Sequence, residues 1–171
     1  MANLEILKYP NPNLKKKSQP VEQIDPSLRQ LVQDMAETMY TAPGVGLAAP
    51  QVGHLLRVVV LDITPPTQPK NLIILINPEI VAAEGECVWD EGCLSLPDFT
   101  DEVKRKKKVV VRFQNLEGET VEIEGNDLLA IVLQHEIEHL DGILLVDQLS
   151  PLKRSLYKRQ LRKEKKKGQK L

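Results

Sequence analysis

The chain has 171 residues, 42% of them hydrophobic and 27% charged, with a net charge of −1. That is enough for one domain with a real core and short for two, in the composition of an ordinary globular protein. No apolar run reaches 18 residues and MANLEILKYPNPNLKKK has neither signal- nor transit-peptide character, so a cytoplasmic enzyme or binding protein without a membrane span is expected.

Asp25-Pro26 opens the first helix, an aspartate cap followed by proline. Leu28, Leu31, Val32, Met35 and Met39 follow at helical spacing, predicting an amphipathic helix over 26–40. GVGLAAPQVG (44–53) is too rich in Gly and Pro for regular structure and is expected to be a loop. Residues 57–63 and 72–76 read as two strands separated by the proline-rich TPPTQP, and 79–88 as a further strand leading into WDEGCLSLP. Residues 107–114 and 119–124 predict a hairpin turning at Leu116-Glu117-Gly118. Asn126 is placed to cap the next helix, whose LLAIVL run continues into QHEIEHLDG, and Gly142 to close it. Ser150-Pro151 starts a last helix with Leu152, Leu156 and Leu161 among lysines. Hairpins without strict β-α alternation predict an α+β fold.

Inside QHEIEHLDG lies the spacing H-E-x-x-H. Residues four apart share a helix face, so His135 and His139 can hold one ion. Glu136 is turned about 100° away and is placed to act on a water as general base. Leu128, Ile131 and Val132 continue the histidine face as an apolar wall, suited to a hydrophobic substrate side chain.

A catalytic site needs a third protein ligand. The protease extension H-E-x-x-H-x-x-G-x-x-H fails here, because Leu145 stands in the last histidine's place, and Asp141, Asp147 and Glu164 are poor substitutes. His54 reads as an ordinary surface residue. Two cysteines make no disulfide framework in a chain this size and are open to buried, nucleophilic or ligand roles. Cys93, between Gly92 and Pro97, reads as part of an irregular segment with backbone amides free to face a site. Cys87 reads as a small buried residue of a strand. The chemistry favours Cys93 and leaves Cys87 open.

GVGLAAPQ (44–51), EGCLS (91–95) and QHEIEHLDG (134–142), in this order and at these separations, resemble the peptide deformylases. ILKYPNPNL and DMAETMY extend the resemblance over nearly the whole chain to about Pro151. It implies a single compact domain over 1–151, with antiparallel sheets around the central motif helix and helices near both ends, and 152–171 as a basic tail. It also implies removal of the formyl group from the N-terminal formyl-methionine of nascent polypeptides, releasing formate. Cys93, His135 and His139 become the expected ligands of one divalent ion, Fe²⁺ in the usual case, with Zn²⁺, Ni²⁺ or Co²⁺ also suited to thiolate and imidazole. Glu136 becomes the base, with the Gln51 side chain and the Leu94 N–H as oxyanion donors. Gly44, Gly46, Glu91, Gly92, Ile131 and Val132 are expected to line the substrate site.

Two departures stand out. Glu138 replaces the family's usual Asp, so a bond from it toward the ligand histidines would be re-aimed. Where many members carry a basic residue soon after EGCLS, this chain has Asp98-Phe99-Thr100-Asp101, with Arg105 the first arginine available to grip the peptide. The charge is also uneven: ten of the 23 Lys/Arg and one of the 24 acids lie from Lys153 onward, about +9 against about −10 for the rest. Such a tail reads either as a solvated helix or as a ribosome-docking element. The competing functions are a metallo-endopeptidase, which lacks its third His or Glu, and a non-enzymatic RNA-binding protein with a structural metal, for which a fourth ligand is missing.

Overall fold

The computed structural model describes residues 3–169, apart from the side chains of residues 97–99 and 165–169. Helix α1 spans Pro26–Thr41, with the Asp25 carboxylate accepting from the Leu28 N–H at 2.9 Å, and it buries the five predicted apolar positions. A five-stranded antiparallel sheet follows, in the order β1 (Gly46–Ala48), β2 (Val58–Leu61), β3 (Ile73–Glu84), β6 (Lys108–Gln114) and β7 (Thr120–Asn126). β4 (Cys87–Cys93) and β5 (Leu96–Arg105) form a separate hairpin. Helix α2 is Leu128–Leu140 and α3 is Pro151–Gln169. The expected α+β architecture is what the chain adopts.

Both faces of the sheet are covered. On one, Val59, Leu61, Leu75, Val109 and Val111 pack against Val132, Leu133, Ile137 and Leu140 of α2. On the other, Leu47, Val58, Val60 and Ile76 pack against Leu31, Val32, Met35 and Met39 of α1. β2 is therefore buried on both sides, which accounts for its unbroken apolar run. Each such aliphatic side chain contributes about 1.5–3 kcal/mol by burial, enough for a shared core to fix α2 over the sheet. The C-terminal end of α2 is fastened separately. The Leu140 carbonyl accepts from Arg57 at 3.1 Å and from the Ser18 N–H at 2.8 Å, and Gly142, at φ +75°, ends the helix as expected.

Local signals failed where pairing overrode them. The expected loop at 44–53 contains β1, because Gly46–Ala48 finds partners in Val59–Leu61. The two strands expected at 72–76 and 79–88 are one, β3. Asn77, at φ +53°, lets the strand bulge past Pro78 and fixes the bend by bonds to Val21 and Gln114. Cys87 and Val88 belong to the next strand. Asn126 does not cap α2: it pairs with Lys108 as the last residue of β7, and Asp127, at φ +52°, makes the corner without a side-chain cap.

The last helix is docked. Tyr157 is buried with Tyr9, Leu14, Leu96, Val103 and Leu144–Val146, and Leu161 packs beside them. Leu152 and Leu156, by contrast, face solvent. Arg154 sets this rotation by donating to the carbonyls of Val146, Asp147 and Leu149, which turns the 154, 157, 161 face inward.

Candidate metal centre and active site

α2 brings His135 and Glu136 to the wall of a cavity of about 650 Å³, lined also by Pro43–Gly46 and the β4–β5 hairpin, with His139 one turn further along the helix. His139 and His135 are buried (2% and 9% exposed), and Cys93 arrives at the end of β4. Their three ligand atoms lie within 4.8 Å of one another. Cys93 Sγ is 3.3 Å from His139 Nε2, close to the ~3.6 Å that tetrahedral thiolate and imidazole bonds to zinc would set. Cys87, at the far end of β4 and half-buried, is outside the cluster, and His54 is exposed. The expected irregular path of EGCLS is corrected here. Glu91–Cys93 is paired strand, with a register slip at Gly92/Cys93 that turns the thiol toward α2.

The surrounding groups fit a cation. Glu91 Oε1 lies 3.1 Å from His135 Nδ1, which leaves Nε2 for the ion. Arg105 holds that carboxylate with two bonds of 2.7 and 2.9 Å, so Glu91 itself is kept ionised: burial opposes this, but its bonds to His135 and Arg105 outweigh burial and lower its pKa. The pKa of His135 is raised to about 10. Burial opposes its charge, and the bonds to Cys93 and Glu91 with the negative charge of Glu136 overcome it. Burial, joined by the charges of His135 and Arg105, pushes His139 well below the usual range, so it is the neutral imidazole a metal requires.

Glu136 is buried with Oε2 unpartnered, and burial pushes its carboxyl up to about 7 against the pull of the His135 charge. A buried carboxylate oxygen without a partner, aimed beside three ligands, is what a general base awaiting water presents. Gly46 is the reason it fits. A Cβ there would come 2.9 Å from Glu136 Oε1, and one at Gly44 would come 2.7 Å from Leu94 Cδ1.

Gln51, 1% exposed, has a fixed orientation: its Oε1 accepts from the Ala48 N–H at 2.9 Å, which points Nε2 at Ser95 Oγ (3.1 Å) and Cys93 Sγ (3.6 Å). Ile131 and Val132 line the cavity with Leu128, as do Gly92, Leu94 and Glu91. Both oxygens of Glu91 are engaged by Arg105 and His135 rather than free for a ligand. Glu138 pairs with Arg105 and accepts from Gln148 at 2.5 Å, at the end of the chain His135–Glu91–Arg105–Glu138. Arg105 is thereby buried in the support of His135 and is not among the cavity-lining residues, which corrects its expected availability to the peptide. Sequence reasoning missed Ser95, Gln134, which ties α2 to the Lys106 backbone, and Lys8 and Trp89 at the cavity. Nothing local marked Ser95, Gln134 or Lys8, whose bonds to Gln51, Lys106 and Leu94 span 44, 28 and 86 residues.

An α+β scaffold that brings Cys93, His135 and His139 together beside a buried glutamate has the side chains of a metal-dependent hydrolase. Residues 3–155 match the model of the family described as polypeptide deformylase. The chain is 53% identical over 165 residues to the peptide deformylase of Thermodesulfovibrio yellowstonii, covering 96% of this chain and 100% of that one. It is 49% identical to that of Syntrophobacter fumaroxidans, over 96% of both. The crystal structure of a peptide deformylase from Legionella pneumophila superposes with a TM-score of 0.91 at 47% identity, covering 99% of each chain. The chain belongs to the polypeptide deformylase family. It is a hydrolase of that family, which removes the formyl group from the N-terminal methionine of nascent polypeptides.

Proposed function

We propose that Cys93, His135 and His139 hold one divalent cation, Fe²⁺ by resemblance, and that Glu136 is the catalytic base. The carrying observation is the convergence of three ligand atoms beside a buried carboxylate with an unpartnered oxygen. When bound, the cation supplies Lewis acidity and lowers the pKa of the attacking water. Glu136 takes that water's proton and later gives it to the leaving amine. The Gln51 side chain and the Leu94 N–H donate to the formyl oxygen as negative charge develops on it. Ile131 and Val132 wall the space for the methionine side chain, Gly44, Gly46 and Gly92 admit its backbone, and Glu91 and Glu138 act through Arg105 and His135. Formate release from a formyl-methionyl peptide under anaerobic conditions, with Fe²⁺ or Ni²⁺, tests the reading. Cleavage of an internal peptide bond without formate would overturn it.

We further propose a cytoplasmic enzyme whose catalytic unit is 1–151, with 152–171 docking on the ribosome. A cationic cleft on α3, lined by Arg154, Lys158, Arg159 and Arg162, supports an anionic partner. Truncation would also remove Tyr157 from the core, so replacing Lys158, Arg159 and Arg162 with Glu is the cleaner test. Ribosome co-sedimentation equal to that of the parent would refute docking.

A further inference from the structure

We infer that the N-terminal segment Leu7–Tyr9 is a strap that positions Gln51 and Leu94; the inference rests on their proposed role as oxyanion donors. These three residues have no regular structure, yet each reaches one of the two site segments. The Leu7 N–H donates to the Gln51 carbonyl at 2.7 Å, the Lys8 ammonium to the Leu94 carbonyl at 2.7 Å, and the Tyr9 N–H to the Ser95 carbonyl at 2.8 Å.

The two segments need such a tie. Gln51 lies in a single 3-10 turn, Ala49–Val52, and Leu94-Ser95 is the tight connection between β4 and β5, just past the register slip. The bonds from Gln51 Nε2 to Ser95 and Cys93 join them directly, and those use the donor that catalysis requires. A strap fixed at both ends holds their spacing without drawing on that donor. Its ends are fixed: the Leu4 N–H bonds Thr38 of α1 at 2.8 Å, and Tyr9 is buried with its ring centre 6.1 Å from that of Tyr157. An oxyanion donor acts only when held within tenths of an ångström of the developing charge, so a looser Leu94, whose carbonyl Lys8 holds and whose N–H sits across the same Cα, lowers the rate and leaves ground-state binding intact.

Lys8 is the one clasp made by a side chain, and it is exposed at the cavity, so it can be changed without disturbing the core. It is a positioning residue; if it gripped the peptide directly, KM rather than kcat would respond. The experiment compares metal-loaded parent, Lys8→Met, Lys8→Arg and Gln51→Met on a formyl-methionyl peptide, with amide hydrogen exchange on Lys8→Met. Loss of a whole oxyanion donor costs about 10²–10³ in kcat, the fall expected for Gln51→Met. Lys8→Met is expected to lose about tenfold in kcat at unchanged KM, a fraction of that loss. Lys8→Arg, which retains a donor, should restore kcat, and exchange at Leu94 and Ser95 should quicken in Lys8→Met. Unchanged kcat and exchange in Lys8→Met, beside a slow Gln51→Met, would refute the strap alone. A rise in KM with kcat intact would assign Lys8 to the substrate and also refute it. An undiminished Gln51→Met would remove the oxyanion reading, and the strap with it.

Discussion

Replacing Arg105 with methionine removes the cation between two carboxylates and leaves the side chain's volume largely filled. In the native protein Arg105 is 7% exposed, its fork holds both oxygens of Glu91, and its remaining nitrogen meets Glu138. Glu91 has 5% of its side chain exposed and is left with His135 alone. Breaking a buried ion pair from one side costs about 3–5 kcal/mol, because the partner stays buried with less of its charge compensated. With a urea slope of about 2 kcal/mol/M for a chain this size, the unfolding midpoint falls by about 2 M. A second consequence is chemical. Glu91 orients His135, and losing such outer support costs about 10–100-fold in metal affinity. The assay is urea denaturation of metal-free protein, followed by chelator competition on loaded protein. Arg105→Lys should recover part of the stability but less of the affinity, since an ammonium cannot hold both oxygens in a fork. Metal affinity equal to the parent's in Arg105→Met would refute the argument that His135 is held through Glu91.

Gly46→Ala should lower kcat by tenfold or more with metal content unchanged, because the new methyl crowds Glu136 Oε1 while touching no ligand; parental kinetics would show that the base is not constrained there. Cys93→Ala should lose most of the bound metal and Cys87→Ala should keep it, read by elemental analysis after gel filtration; the reverse would exchange their roles. The stability of the metal-free protein should fall as pH rises from about 6.5 to 10; below that window His139, whose pKa is lowered from 6.5, gains stability with pH and opposes Glu136. Glu136 and His135 have folded pKa values raised to about 7 and 10, from 4.5 and 6.5, so their contributions are full below the ordinary values and are lost as pH passes the raised ones. Metal addition should therefore stabilise more at pH 9 than at pH 6, and urea midpoints that rise with pH over that window without metal would contradict this.

The elements read correctly from the sequence are those whose signal is local. α1 carries its apolar period in sixteen consecutive residues with its Asp25 cap just before them, and the β6–β7 hairpin carries its turn. H-E-x-x-H was legible because His135, Glu136 and His139 lie on one turn and a half of a single helix. What failed depended on distant partners. The Gly- and Pro-rich composition of 44–53 points to a loop, and pairing with β2 decides for β1 instead. Asn126 has the chemistry of a cap, yet it is held by pairing with Lys108, 18 residues earlier.

By itself the sequence determined the metal-binding helix, the α+β class and, through three motifs in register, the family. It left Cys93 and Cys87 unresolved on chemistry, because a thiol's fitness as a ligand depends on where its strand ends in space. Tertiary structure decided that: the slip at Gly92 brings Cys93 to His139, while Cys87 lies at the other end of the same strand. It also decided the support of the site, in which Arg105 joins Glu91 to Glu138 and the N-terminal segment reaches Gln51 and Ser95. Hydrogen bonds across dozens of residues have no periodicity, and only the folded chain brings those donors and acceptors within 3 Å.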